Sequence, residues 1–291
     1  MLADMNYLRH LEACNRFDPS RFLPLLLGDR RVGFVRRDNA RLLESFSHIF
    51  HLSADEVAIV NVVEGAALVT QALAEVTDGL IQTGVVKRRN EMFSVTDGWG
   101  GTLLFEIDRG LIEFFGLRAY AVHLNGWRRD GDGLAFWIAK RAASKALAPG
   151  KLDNMVAGVI GSGYAARDTL VKEAGEEAGI PEALAIRANA AGAIRYRLEM
   201  AGGMRDEVLF VYDLEIPADF VPSNTDGEVE DFRLLPAREC LRLVRDTDMF
   251  MYDVNLVLID FGVRHGLIVP DEPEYLALIE GLRGGFVQGS N

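Results

Sequence analysis

Cysteine is nearly absent from this chain. Cys14 and Cys240 are the two in 291 residues, far apart and outside any CxxC spacing, which excludes a disulfide framework and a zinc knuckle. Long apolar runs are missing as well. The stretch Phe22 to Leu27 is far short of the ~20 residues that span a bilayer, and Met1 to Ala13 lacks the apolar core of a signal peptide. A cytoplasmic, membrane-free protein is the expectation. Positive charge is also in short supply, with 31 Lys plus Arg against 43 Asp plus Glu and a net charge of -12. That balance argues against a broad nucleic-acid or anionic-membrane surface, and a polyphosphate substrate would need cations or a local basic pocket. Internal repeats and low-complexity tracts are not seen.

What is present suits a folded chain, with 49% hydrophobic and 25% charged residues. The length favours two domains, and the pattern changes near Arg118, giving an expected division into 1–117 and 118–291. In the first part, apolar spacing predicts helices over Asn39 to Phe50 and Val62 to Val76, and Ser53 to Glu56 has the form of a capping box. Short strands are predicted at Arg31 to Val35 and Met92 to Val95, so this part reads as a mainly helical α+β domain. Beyond it, Ala119 to Leu124 and Leu134 to Ala139 flank Asp130-Gly-Asp-Gly133 as a β-hairpin. A strand at Met155 to Ile160, a helix from about Ala165 to Ala178 stopped by Gly179, a strand over Val208 to Ile216, an apolar run over Val254 to Val263 that suits a buried helix or a strand, with the helix favoured, and a final helix from Glu274 to Leu282 follow. A frayed glycine-rich tail ends the chain.

Chemistry concentrates between Gly158 and Ile180. On a helix, Glu173 lies three and four residues before Glu176 and Glu177, so the three carboxylates share a face. Like charges so placed repel unless a cation neutralises them, and hard carboxylate oxygens suit magnesium, which binds through a few carboxylates plus substrate phosphates. An isolated acidic triplet is more often a solvated helix face.

The segment resembles the Nudix box, G-x5-E-x7-R-E-U-x-E-E-x-G-U with U aliphatic, at Gly158, Glu173, Glu176, Glu177, Gly179 and Ile180, with Ala174 a small occupant of a U position. It departs at Tyr164, where the box has its first Glu, and at Lys172, where the box has Arg. Lys172 keeps the charge and loses the bidentate fork that helps hold the neighbouring glutamate. Tyr164 cannot ligate a cation as a carboxylate would, and ordinary packing is its expected role. Further segments, Tyr120 to Gly126, Lys151 to Gly158, Tyr212 to Glu215, Asp226 to Glu230 and Asp260 to Gly266, resemble a Nudix branch related to thiamine pyrophosphokinase-associated proteins with a dedicated amino-terminal domain. That branch shares both departures.

The resemblance implies an α/β/α Nudix sandwich with a mixed sheet, preceded by a smaller α+β domain. It implies Glu173, Glu176, Glu177 and the Gly158 carbonyl as ligands of magnesium, with manganese as a substitute, Glu173 as a ligand or general base, and Lys172 as its positioning partner. Glu228 falls where many relatives place a further carboxylate, or is a turn residue in the acidic stretch Asp226 to Asp231. The implied reaction is hydrolysis of a diphosphate bond in a small molecule, with thiamine diphosphate or its oxidised analogues giving monophosphate and phosphate. The alternatives are a pyrophosphatase acting on a nucleoside diphosphate derivative and a catalytically silent Nudix-fold binding module. Oligomeric state stays open, a homodimer included, and residues 1–117 are expected to contribute substrate specificity.

Other candidates carry less. Lys140, Arg141, Lys145 and Lys151 read as an exposed basic edge, and Gly161-Ser-Gly163 as a turn, because it lacks the Lys-Ser/Thr ending of a P-loop. His123, His265, Trp127 and Trp137 read as structural.

Overall fold

The computed structural model of the protein describes residues 6–61 and 65–284. Met1 to Met5, the start of the predicted Val62 helix and the glycine-rich tail beyond Gly284 lie outside them. Three apolar cores organise the molecule.

The first core sits under strands. After helix α1 (Leu8–Cys14), β1 (Phe22–Leu27) and β2 (Arg30–Arg36) pair, then α2 (Arg37–Ala40) leads to β3 (Phe50–Leu52) and β4 (Val57–Ile59). These form a sheet in the order β2-β1-β4-β3. Helix α3 (Ala66–Gln82) and the hairpin β5 (Met92–Thr96) and β6 (Leu103–Asp108) complete this part. Two expectations need correction here. The helix predicted over Asn39 to Phe50 is one α turn and a 3-10 turn, Arg41–Phe46, and Phe50 begins β3 because its buried ring fills the core opposite Ile59. The capping box is a turn between strands: Ser53 Oγ accepts hydrogen bonds from the amides of Asp55 (3.2 Å) and Glu56 (3.0 Å), the same local bonding without a helix to follow. Among the described residues this part holds six strands against three α-helices.

The second sheet is built on β7 (Arg118–Asp130) and β8 (Gly133–Arg141), joined by the expected hairpin with Gly131 at φ 57. Then come β9 (Leu152–Asp153), β10 (Val156–Val159), α4 (Ala166–Ala178), α5 (Glu182–Ala185), β11 (Asn189–Glu199), β12 (Met204–Glu215) and β13 (Val229–Pro236). The order is β11-β12-β7-β8-β13, with β10 on β7 and β9 on β8, and the β12–β7 pair is parallel. Alternation sends side chains to two layers. Val122, Leu124, Tyr212 and Leu214 face α4, whereas Ala121, Phe136, Leu209 and Val211 face helices α6 (Ala237–Asp246), α7 (Tyr252–Arg264) and α8 (Tyr275–Gly284). The result is the α/β/α sandwich with a mixed sheet. Helix α1 belongs to this second core, where Tyr7, Leu11 and Cys14 are buried against α7 and α8.

Trp127 packs edge-on against Phe261, and His265 stacks on Phe261 with centroids 3.8 Å apart, so both are structural as expected. His123 is buried with Nδ1 2.9 Å from Asn154 Oδ1. No helix among the described residues is long and apolar enough to cross a membrane.

Candidate active site on helix α4

Helix α4 ends where Gly179 turns left-handed at φ 64, a conformation that glycine adopts without steric cost. Its buried stripe, Leu170, Ala174 and Ala178, lies on the sheet and brings Glu177 inward at 8% exposure. One carboxylate oxygen of Glu177 accepts the Ala157 amide at 2.8 Å. Burial pushes its pKa well above the usual carboxylate range, an effect the Ala157 bond only partly offsets and that Asp153 and Glu173 reinforce. One turn earlier, Glu173 Cγ lies so close to Gly158 that a Cβ there would overlap it. Glycine is required at 158 because it lets α4 approach β10. Burial also raises the Glu173 pKa, Lys172 lowers it, and the charges of Glu176 and Glu228 raise it again.

Lys172 lies between two of the acids, with Nζ 2.6 Å from Glu176 Oε2 and 3.0 Å from Glu173 Oε1. These bonds push its pKa up, the Glu176 bond foremost and burial opposing. A lysine here therefore tethers both glutamates as a point charge. Tyr164 corrects an expectation: it is 53% exposed and packs on no core, so the residue that replaces the box glutamate faces solvent.

Glu228 is brought to this helix by the segment before it. Ser223 and Thr225 donate their amides to the carbonyls of Ala178 and Glu176, at 3.1 and 3.3 Å, and Asn224 Oδ1 receives the Asp226 and Gly227 amides in a tight turn. Glu228 is thus both a turn residue and a neighbour of Glu173, and its carboxylate pairs with Lys145.

Among the described residues, no three His, Cys, Asp or Glu side chains converge as a ready-made metal cage. The donor set nonetheless suits a hard divalent cation. A buried Glu177 carboxylate with one amide partner, beside Glu173, Glu176 and Glu228, is a negative cluster that Lys172 and Lys145 offset only in part and that a divalent ion would relieve. Glu173, Glu176, Glu177 and Glu228 are the residues that would hold it, with the Gly158 backbone directly beneath Glu173.

Several residues around this site were missed in the sequence. A cavity of about 760 Å³ opens beside it, lined by Phe93, Ile112 and Phe114 from the first part of the chain and by Arg141, Lys145, Arg205, Glu207 and Glu228 from the second. Arg141 and Lys145, expected on an exposed edge, form its wall. Behind it Tyr196 donates its hydroxyl to the buried Glu207, and Arg205 bonds the Tyr252 hydroxyl at 2.6 Å. Asp253, at the start of α7, has its pKa raised to about 6 by burial, with Glu207 and Asp153 adding to the rise and His123 and Arg205 opposing it. The available signal was charge inside an otherwise apolar strand, Asp206-Glu207 before Val208-Leu-Phe-Val211.

Fold and site together define a helix-flanked mixed sheet with an acidic helix set against one strand, an architecture for binding and cleaving phosphoanhydrides. The Nudix domain description matches residues 119–253, and a domain of unknown function, DUF4743, matches residues 6–119. Nudix hydrolase 24, chloroplastic, of Arabidopsis thaliana is 39% identical over 285 residues, covering 96% of this chain and 78% of the relative. Nudix hydrolase 20, chloroplastic, of the same plant is 36% identical over 291 residues, covering 95% and 77%. A crystal structure of a Deinococcus radiodurans protein is similar at TM-score 0.45 and 20% identity, covering 58% of this chain and 98% of that one. The chain belongs to the Nudix hydrolase family and is an enzyme that hydrolyses diphosphate bonds.

Proposed function

We propose that the enzyme uses magnesium, or manganese in its place, to hydrolyse the terminal anhydride of a small organic diphosphate, with thiamine diphosphate or its oxidised analogues as the substrate class. The observation that carries this reading is the cavity shared by the two parts of the chain. Its volume suits one small ligand. Its wall pairs apolar Phe93, Ile112 and Phe114, which suit a heterocyclic ring, with cationic Arg141, Lys145 and Arg205, which suit phosphate oxygens. In a chain of net charge -12, this gathering of cations beside the acidic helix answers how an anionic substrate is received.

A divalent ion at the α4 carboxylates would neutralise charge on the diphosphate and lower the pKa of a bound water. The chain's own residues do the remainder. Glu173, whose pKa burial raises, is placed to take a proton from the attacking water. Lys172 keeps Glu173 and Glu176 in register. The phosphate monoester leaves toward the cationic wall. Residues 1–117 contribute specificity, because three of the cavity's apolar side chains are theirs.

The test is a screen of organic diphosphates with magnesium, separating phosphate, pyrophosphate and phosphorylated fragments. Phosphate plus a thiamine-type monophosphate supports the proposal. Two phosphorylated fragments from a nucleoside diphosphate derivative would replace it, and no turnover of any diphosphate would point to a silent binding module.

A further inference from the structure

We propose that the first part of the chain holds the catalytic loop in place through Glu106 and Ser94, which act as positioning residues on Ser162. The inference rests on the reading above, that the acids of α4 form the catalytic centre.

Ser162 is the middle of the Gly161-Ser-Gly163 turn, between Gly158 and the start of α4 at Ala166. Three bonds from one hairpin converge on it. Its amide donates to the Met92 carbonyl at 2.8 Å, and its hydroxyl lies 2.8 Å from the Ser94 hydroxyl and donates to the Glu106 carboxylate. A serine hydroxyl has one hydrogen and a carboxylate is acceptor only. The Ser162 proton therefore goes to Glu106, and Ser94 donates to Ser162.

The clamp has a firm base. Glu106 is flanked by buried Phe105 and Ile107, and its amide donates to Thr70 Oγ1 of α3 at 2.8 Å. The loop has little else to hold it. The N-cap of α4, Ala165, offers no side-chain hydrogen bond, Tyr164 is exposed, and Gly163 sits at φ 81. The carboxylate that meets this loop is thus supplied from the other part of the chain. Because a Cβ at Gly158 would overlap Glu173 across the same loop, a drift of Ser162 is expected to move the acids relative to β10.

The experiment uses the full chain and its Glu106→Ala, Glu106→Gln and Ser162→Ala variants. Manganese affinity is read by electron paramagnetic resonance, and amide exchange is followed in a peptide covering 159–165. Glu106→Ala and Ser162→Ala are expected to weaken manganese binding roughly 10- to 100-fold, the range for losing a residue that supports a ligand, and to speed exchange in that peptide. Glu106→Gln keeps an oxygen to accept the hydroxyl, so it should stay within a few-fold of the unsubstituted chain. In turnover of a diphosphate, the loss should fall on kcat and metal requirement, with KM for substrate little changed. Unchanged exchange and manganese affinity in Glu106→Ala would overturn the clamp, as would equal damage from Glu106→Gln. Absence of manganese binding in the unsubstituted chain would overturn the catalytic reading instead, and the exchange arm would still decide the clamp.

Discussion

At the scale of single residues, the site depends on close approach and on paired charge. Gly158 is the sharpest case. A methyl group there would overlap the Glu173 side chain, and overpacking of this kind costs about 1–3 kcal/mol. Gly158→Ala is therefore expected to lower the melting temperature and to raise the magnesium concentration needed for half-maximal turnover. A variant indistinguishable in both measurements would show that α4 need not lie so near β10. Asp206 illustrates paired charge. Burial opposes its ionisation, but bonds and charge from Arg195, with Arg197 and Arg118 behind, outweigh burial and hold its pKa below the usual carboxylate value. A depressed folded-state pKa gives stability that is full above the unfolded value, near ~4, and is lost as pH falls through the folded value. Asp206→Asn should cost about 3 kcal/mol or more at neutral pH by removing the buried carboxylate charge to which Arg195 and Arg197 bond. Urea unfolding of both proteins across pH should show that gap narrowing below about pH 4, and a gap that is constant with pH would contradict the assignment.

At the scale of elements, helix α1 tests how the two parts are joined. Although it lies at the amino-terminal end of the sequence, Tyr7, Leu11 and Cys14 fill the core between α7 and α8, and a Cβ at Gly281 of α8 would overlap Leu11. Leu11→Ala should destabilise the whole chain by about 2–5 kcal/mol, read as an earlier midpoint in urea. No shift would mean that α1 is not part of that core. This docking could not be read from Leu8–Cys14, since seven residues carry too little periodicity to reveal a partner some 250 positions away in sequence. By contrast, α4 and the β7–β8 hairpin were legible, because each combines an apolar pattern with a stop or turn signal, Gly179 or Gly131, whereas the apolar run of α7 suited a helix or a strand and its length favoured the helix. The Ser53 to Glu56 turn misled for a physical reason: a serine bonding the amides two and three residues ahead looks the same at the start of a helix and in a bend between strands. Glu173, Glu176 and Glu177 share one helix as their spacing predicts, but spacing alone reads as a solvated face, and the resemblance to the Nudix box is what marked them as a candidate site. Glu106, Glu207 and Arg205 were not legible, because tertiary folding alone brings β6 to the loop before α4 and β12 to the cavity.

At the scale of the whole molecule, the two parts of the chain share a cavity and a loop. The acidic helix comes from the Nudix part and the grip on Ser162 from the DUF4743 part, while both supply cations and apolar side chains to the cavity wall, Lys87, Arg89, Phe93 and Phe114 from one and Arg141, Lys145, Leu147 and Arg205 from the other. On the proposed function, the diphosphate chemistry belongs to α4 and the choice of substrate to the junction. The most direct test follows turnover of organic diphosphates by phosphorus NMR as magnesium is titrated, with Glu177→Gln in parallel. Glutamine keeps an oxygen for the Ala157 amide and removes the charge, so the variant should fold with an unchanged or higher melting temperature. The account predicts that wild-type turnover rises with magnesium and falls to background with chelator, and that Glu177→Gln shows none at any magnesium concentration. Wild-type rates in a folded Glu177→Gln variant, or turnover that survives chelation, would contradict it.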